Sequence, residues 1–101
     1  MATTPDPHAA LRDRVLQLVL DGPGETDQAL RHAAADGHDV PAELDPFVRR
    51  IHAQAYRVTD EDVSRLQPTY SEDQLFEIVV SAALGASRQR LEAGLEALRD
   101  A

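Results

Sequence analysis

Tyr70-Ser71-Glu72-Asp73-Gln74-Leu75-Phe76-Glu77 is the stretch that decides the fold. Ser71 and Gln74 stand at the two positions of a capping box. There a serine hydroxyl accepts from the backbone three residues on, and the glutamine side chain accepts from the serine N–H. Tyr70 and Leu75 occupy the hydrophobic-staple positions, while Glu72 and Asp73 set negative charge at the positive end of a helix dipole. A helix therefore starts at Glu72. Leu75, Val79, Ala82, Ala83, Ala86, Leu91, Leu95 and Leu98 continue at helical spacing and carry it to about Arg99. Some 28 residues at 1.5 Å each reach about 42 Å, long for a chain of 101 residues, with Gly85-Ala86-Ser87 as the place for a bend. The small residues from Ser81 to Ala86 admit another backbone closely.

Upstream, Thr59 precedes Asp60-Glu61-Asp62 as a helix cap, Val58 can staple onto Val63, and that short helix ends before Pro68. Asp45-Pro46 is a cap followed by a proline at the first helical position, opening a helix with Phe47, Val48, Ile51, Ala55 and Val58 on one side. Residues 38–44 connect it to an alanine-rich helix that starts near Thr26, buries Ala29, Leu30, Ala33 and Ala34, and closes at Gly37. Asp6-Pro7 opens the first helix, in which Leu11, Val15, Leu18 and Val19 recur at helical spacing, and Asp21-Gly22-Pro23-Gly24 ends it. Residues 1–5 are expected to be disordered. No stretch alternates like a strand and no repeat is visible. The expectation is one all-α domain over residues 1–101, of about five helices ending in a long C-terminal helix.

Sixteen alanines and only four aromatics, Phe47, Tyr56, Tyr70 and Phe76, make the core thin. The chain has no cysteine and no lysine, which excludes disulfides, thiolate nucleophiles, cysteine-ligated zinc, Schiff bases and a phosphate-loop lysine. A cysteine-free chain without an apolar run of transmembrane length or a signal-peptide start is expected to be soluble and cytoplasmic. A formal charge of -8 with ten scattered arginines argues against a nucleic-acid surface.

Candidate chemistry centres on the helix after Asp45. His52 and Tyr56 lie four apart and share a face, with Arg49 a turn earlier, so the three can build a small-molecule site in which His52 shuttles a proton. A histidine and a tyrosine packed at a helix–helix interface leave the same pattern. His32, Asp36, His38 and Asp39 match no standard metal spacing, and Asp60-Glu61-Asp62 already has its reason in the helix dipole, so no metal is expected. No cofactor motif is present either.

Tyr56-Arg57-Val58-Thr59-Asp60-Glu61-Asp62-Val63, then Tyr70 to Glu77, then Ala82-Ala83-Leu84-Gly85-Ala86 and Arg90-Leu91 resemble the alkylhydroperoxidase D and carboxymuconolactone decarboxylase family over residues 48–98. The resemblance implies an alkylhydroperoxidase D-like helical fold and a homo-oligomer, a trimer or a multiple of one. The family's redox members carry Cys-x-x-Cys with a histidine four residues on. Here those positions fall on Ala42, Asp45 and Arg49 counting from Thr59, or on Asp45 and Val48 anchoring on His52. Neither register supplies sulfur, so the dithiol peroxidase mechanism does not carry over. Two readings follow. One is a non-redox, oligomeric protein that binds a small molecule or a protein partner. The other is a cofactor-free enzyme of decarboxylase or isomerase type with His52 as acid or base.

Overall fold

Gln74 N–H donates to Ser71 Oγ at 3.1 Å and Ser71 N–H donates to Gln74 Oε1 at 2.8 Å, so the capping box closes as expected. In the computed structural model, which describes residues 8–54 and 57–100, it opens a single helix of 29 residues, α5 (Glu72–Asp100). The other helices are α1 (Ala9–Asp21), α2 (Gln28–Asp36), α3 (Asp45–Gln54) and α4 (Asp60–Leu66), with no strand among the described residues. The expected all-α order of five helices with a long last one is therefore present. Thr59 and Asp62 form a second capping box at α4. Residues 1–5, the Asp6-Pro7 cap, Ala55 and Tyr56 lie outside the described residues.

The main core is built where α2, α3 and α4 meet α5: Ala34, Leu44, Phe47, Val48, Ile51, Leu66, Leu75, Ile78 and Ala82 are all buried. A smaller cluster, Leu16, Leu20 and Ala35 with Leu84 beside it, holds α1. The buried line of α5 is Leu75, Ile78, Ser81, Ala82, Gly85 and Ala86, which corrects the expected seam. Ile78 is fully buried and Val79 only partly, while Leu91 and Leu98 are exposed. The reason is reach. Helices α2 and α3 cover α5 only as far as the Gln89 and Arg90 side chains, and beyond that level the helix stands out along the 55 Å long axis of the molecule.

Two more corrections follow from the same geometry. On α1 the core residues are Leu16 and Leu20, whereas Leu11, Val15 and Leu18 are exposed, because α1 leans on α5 along one narrow stripe. On α2, Ala29 is exposed and Arg31 is buried, because Ala34 and Ala35 face α5 and turn the Arg31 stem toward α1. Helix α2 starts at Gln28 rather than Thr26. Gly37 closes it at φ 87°, the left-handed conformation expected of it.

Helix ends are joined by side chains from other helices. The last carbonyls of a helix lack intrahelical partners, and here a later helix satisfies them. Arg31 donates to Val19 O and Gln28 to Asp21 O, both at 2.8 Å, at the end of α1. His52 Nε2 donates to Ala34 O at 2.8 Å and Gln89 to Asp36 O at 3.3 Å at the end of α2. Arg90 donates to His52 O, and to Ala53 O at 3.4 Å, at the end of α3.

The tightest crossing is α2 on α5. A Cβ built on Gly85 would stand 2.0 Å from Ala35 O and 2.5 Å from Ala35 C. Four residues earlier Ser81 is fully buried, and its hydroxyl has no hydrogen-bond partner. Gly85→Ala is expected to destabilise by about 3 kcal/mol despite alanine's better helix propensity, because backbone rather than a flexible side chain must yield. Ser81→Ala is expected to stabilise by about 1 kcal/mol by removing an unpaired polar group. Denaturant midpoints at unchanged slope measure both.

Candidate functional site

The expected site residues part company in the fold. Three residues apart on α3, Arg49 and His52 point to different surroundings. Arg49 is exposed and donates to Asp45 Oδ2 at 2.7 Å. With Pro46, Arg50, Ala53, Gln54 and Arg57 it lines a shallow depression of about 730 Å³. Arg50, at its edge, donates to Asp62 Oδ2 at 2.7 Å. His52 does not line that depression. Its ring is half-buried beneath the end of α2, with Nε2 on Ala34 O and all three of its outer ring atoms within 3.1 Å of where a Cβ on Gly37 would lie. A carbonyl can only accept, so Nε2 carries the proton. Tyr56 lies outside the described residues.

The other histidines described are also engaged: His32 contacts Asp21 at 2.5 Å and His38 contacts Asp39 at 2.8 Å. Among the described residues no three histidine or carboxylate side chains gather as metal ligands.

Two polar contacts that local sequence does not announce tie α5 to the loops beside it. Glu77 accepts from Glu25 N–H at 2.7 Å, and from both Thr26 N–H and the Thr26 hydroxyl at 2.8 Å. Burial disfavours the Glu77 charge. The donors on Glu25 and Thr26, with the positive Arg31 nearby, outweigh that penalty and hold its pKa below the ordinary 4.5. Tyr70 OH donates to Glu43 Oε1 at 2.7 Å, joining the turn before α3 to the start of α5. Burial, and then the hydrogen bond and charge of Glu43, push the Tyr70 phenol up to about 12.

A more apolar feature lies elsewhere. Leu11, Val15 and Leu16 of α1 and Leu84, Leu91 and Leu95 of α5 line a groove of about 360 Å³. Arg12, Asp13, Arg88 and Glu92 stand along its rim, so both signs of charge border it. Leu91 and Leu95 were expected on the apolar seam of the long helix, and periodicity shows that a helix has an apolar face, not which neighbour covers it. No family model matches the chain, and neither a curated protein nor a solved structure matches it.

Glu77→Gln is expected to cost about 2 kcal/mol at neutral pH, the scale of charge-assisted hydrogen bonds. A lowered carboxyl pKa contributes stability that is fully present above the unfolded value of about 4.5 and is lost as pH falls through the folded value. The gap between wild type and variant should therefore narrow in acid, as urea titrations across that range would report. For Tyr70 the sign is opposite. A raised phenol pKa contributes stability that is present below about 10 and lost as pH rises through about 12. In an ultraviolet phenolate titration Tyr70 should ionise near 12, and Glu43→Gln should bring its midpoint down.

Proposed function

We propose that the chain is a cysteine-less protein of alkylhydroperoxidase D-like type that binds rather than catalyses: a non-redox, oligomeric protein whose ligand is a small molecule or a protein partner. One observation carries this reading. His52, the best-placed acid or base in the sequence, is spent on the Ala34 carbonyl and lines none of the cavities described above, while the groove between α1 and α5 is apolar and open. Binding sites are concave, mostly apolar and bordered by a few polar groups, and the groove has that make-up. A proton shuttle needs its ring nitrogen within reach of a substrate, and Nε2 of His52 faces a backbone carbonyl.

The absent cysteines fit a role outside thiol chemistry and suit a reducing cytoplasm. Nucleic acid is no part of the reading: Arg49, Arg50, Arg65 and Arg88 each sit on a carboxylate in a chain of charge -8. No helix among the described residues is long and apolar enough to cross a membrane.

An environment-sensitive apolar fluorophore tests the groove. The protein should enhance its emission, and Leu91→Glu should weaken binding by at least about tenfold, since a charge would have to be buried with the probe. His52→Gln, whose amide can replace the Nε2 donor, should leave binding within about twofold. Binding that survives Leu91→Glu but fails in His52→Gln would shift the site to α3 and revive an acid–base role.

A further inference from the structure

The apolar side of α5 extends well beyond the groove. Phe76, Val80, Leu84, Leu91 and Leu98 recur at spacings of four and seven, which places them on one line along the helix. Phe76 and Leu98, at its two ends, are 68% and 73% exposed. The line is about 33 Å long at 1.5 Å per residue. Ser87 lies at its midpoint, and Gly94 is beside it with nothing within 4 Å of where a Cβ would stand. A glycine inside an exposed helix weakens it, and small residues along a leucine line are what a second helix needs to approach.

We propose that the occupant of this face is a second copy of the chain, its α5 lying antiparallel across the first with Ser87 on the two-fold axis, a pair in place of the trimer that the family resemblance implies. This rests on the binding face assigned above and names its partner, with which the fluorophore competes, so fluorophore binding should weaken as the protein concentration rises. In that register Phe76 of one copy meets Leu98 of the other and Val80 meets Gly94, a large side chain against a gap at each end.

Charge selects the antiparallel sense. From Glu72 to Ser87 the helix carries Glu72, Asp73 and Glu77 with no basic residue, whereas from Arg88 onward Arg88, Arg90 and Arg99 balance Glu92, Glu96 and Asp100. Parallel copies would stack the acidic halves on one another. Antiparallel copies set each acidic half against a neutral one, with Arg99 near the Glu72-Asp73 end, and oppose the two helix dipoles. The bipolar rim of the groove is likewise self-complementary under a two-fold axis, as an isologous interface requires. A face about 33 Å long, widened by the exposed side of α1, is on the scale of the roughly 800 Å² per partner that stable pairs bury.

Because the chain has no cysteine, single-cysteine variants read the geometry directly. Light scattering should give about twice 11.1 kDa for the wild type at micromolar concentration. Under mild oxidation Ser87→Cys should cross-link to a covalent dimer. Leu98→Cys alone should not, its copies lying about 33 Å apart. Mixing Phe76→Cys with Leu98→Cys should restore the cross-link. All three positions are exposed, so the helical circular dichroism should not change. A wild type that remains at 11.1 kDa overturns the second copy. If that monomer still binds the fluorophore, and loses it in Leu91→Glu, the binding face stands without the dimer; if it binds none, both fall. Cross-linking of Leu98→Cys on its own, whether or not Ser87→Cys also cross-links, overturns the antiparallel register.

Discussion

The carbonyl of Ala35 lies where any side chain at position 85 would have to begin, and the rest of the packing depends on that contact. It sets how closely α2 approaches α5, and through α2 it sets α1 and α3. Helix α1 rests on Ala35 and Leu84 by only two buried leucines, Leu16 and Leu20. Helix α3 is pinned to the end of α2 through His52 and Ala34 O. With so many alanines the interior cannot be filled by large side chains at ordinary helix separations, so the backbones close the space themselves.

Close approach leaves helix ends near one another and partly out of water, where an unpaired carbonyl is costly. The solution is a relay in which side chains of α2, α3 and α5 cover the end of an earlier helix: Arg31 and Gln28 on α1, His52 and Gln89 on α2, Arg90 on α3. Glu77 does the same for donors, gathering the loop before α2 onto α5. These contacts add direction to a thin apolar core. They also explain why a histidine that reads as a proton shuttle on a helical wheel serves as a cap in three dimensions.

The same architecture leaves one face of α5 uncovered. The four shorter helices account for one side of a 29-residue rod and only part of its length. Phe76, Leu91 and Leu98 are exposed along its other side, the kind of aligned apolar surface on which the proposed binding face rests.

Local chemistry was legible in the sequence wherever a signal spans a few residues. The capping box at Ser71, the Thr59 cap, the left-handed glycine at 37 and the all-helical class are each dictated by hydrogen bonds and dihedral limits within one turn, whereas α3 begins one residue before the proline expected to open it, at Asp45. The close approach permitted by Ser81 to Ala86 was legible too, though not that Gly85 would meet Ala35. Which face of each helix is buried was decided only by tertiary structure. Leu11, Val15 and Leu18 carry as good a helical stripe as Leu16 and Leu20, and Leu91 and Leu98 prolong the seam of α5 in the sequence but not in the core. Periodicity fixes the existence of an apolar face. Its burial depends on a neighbour whose length and crossing point are written dozens of residues away, and the separation of Arg49 from His52 follows from the same cause.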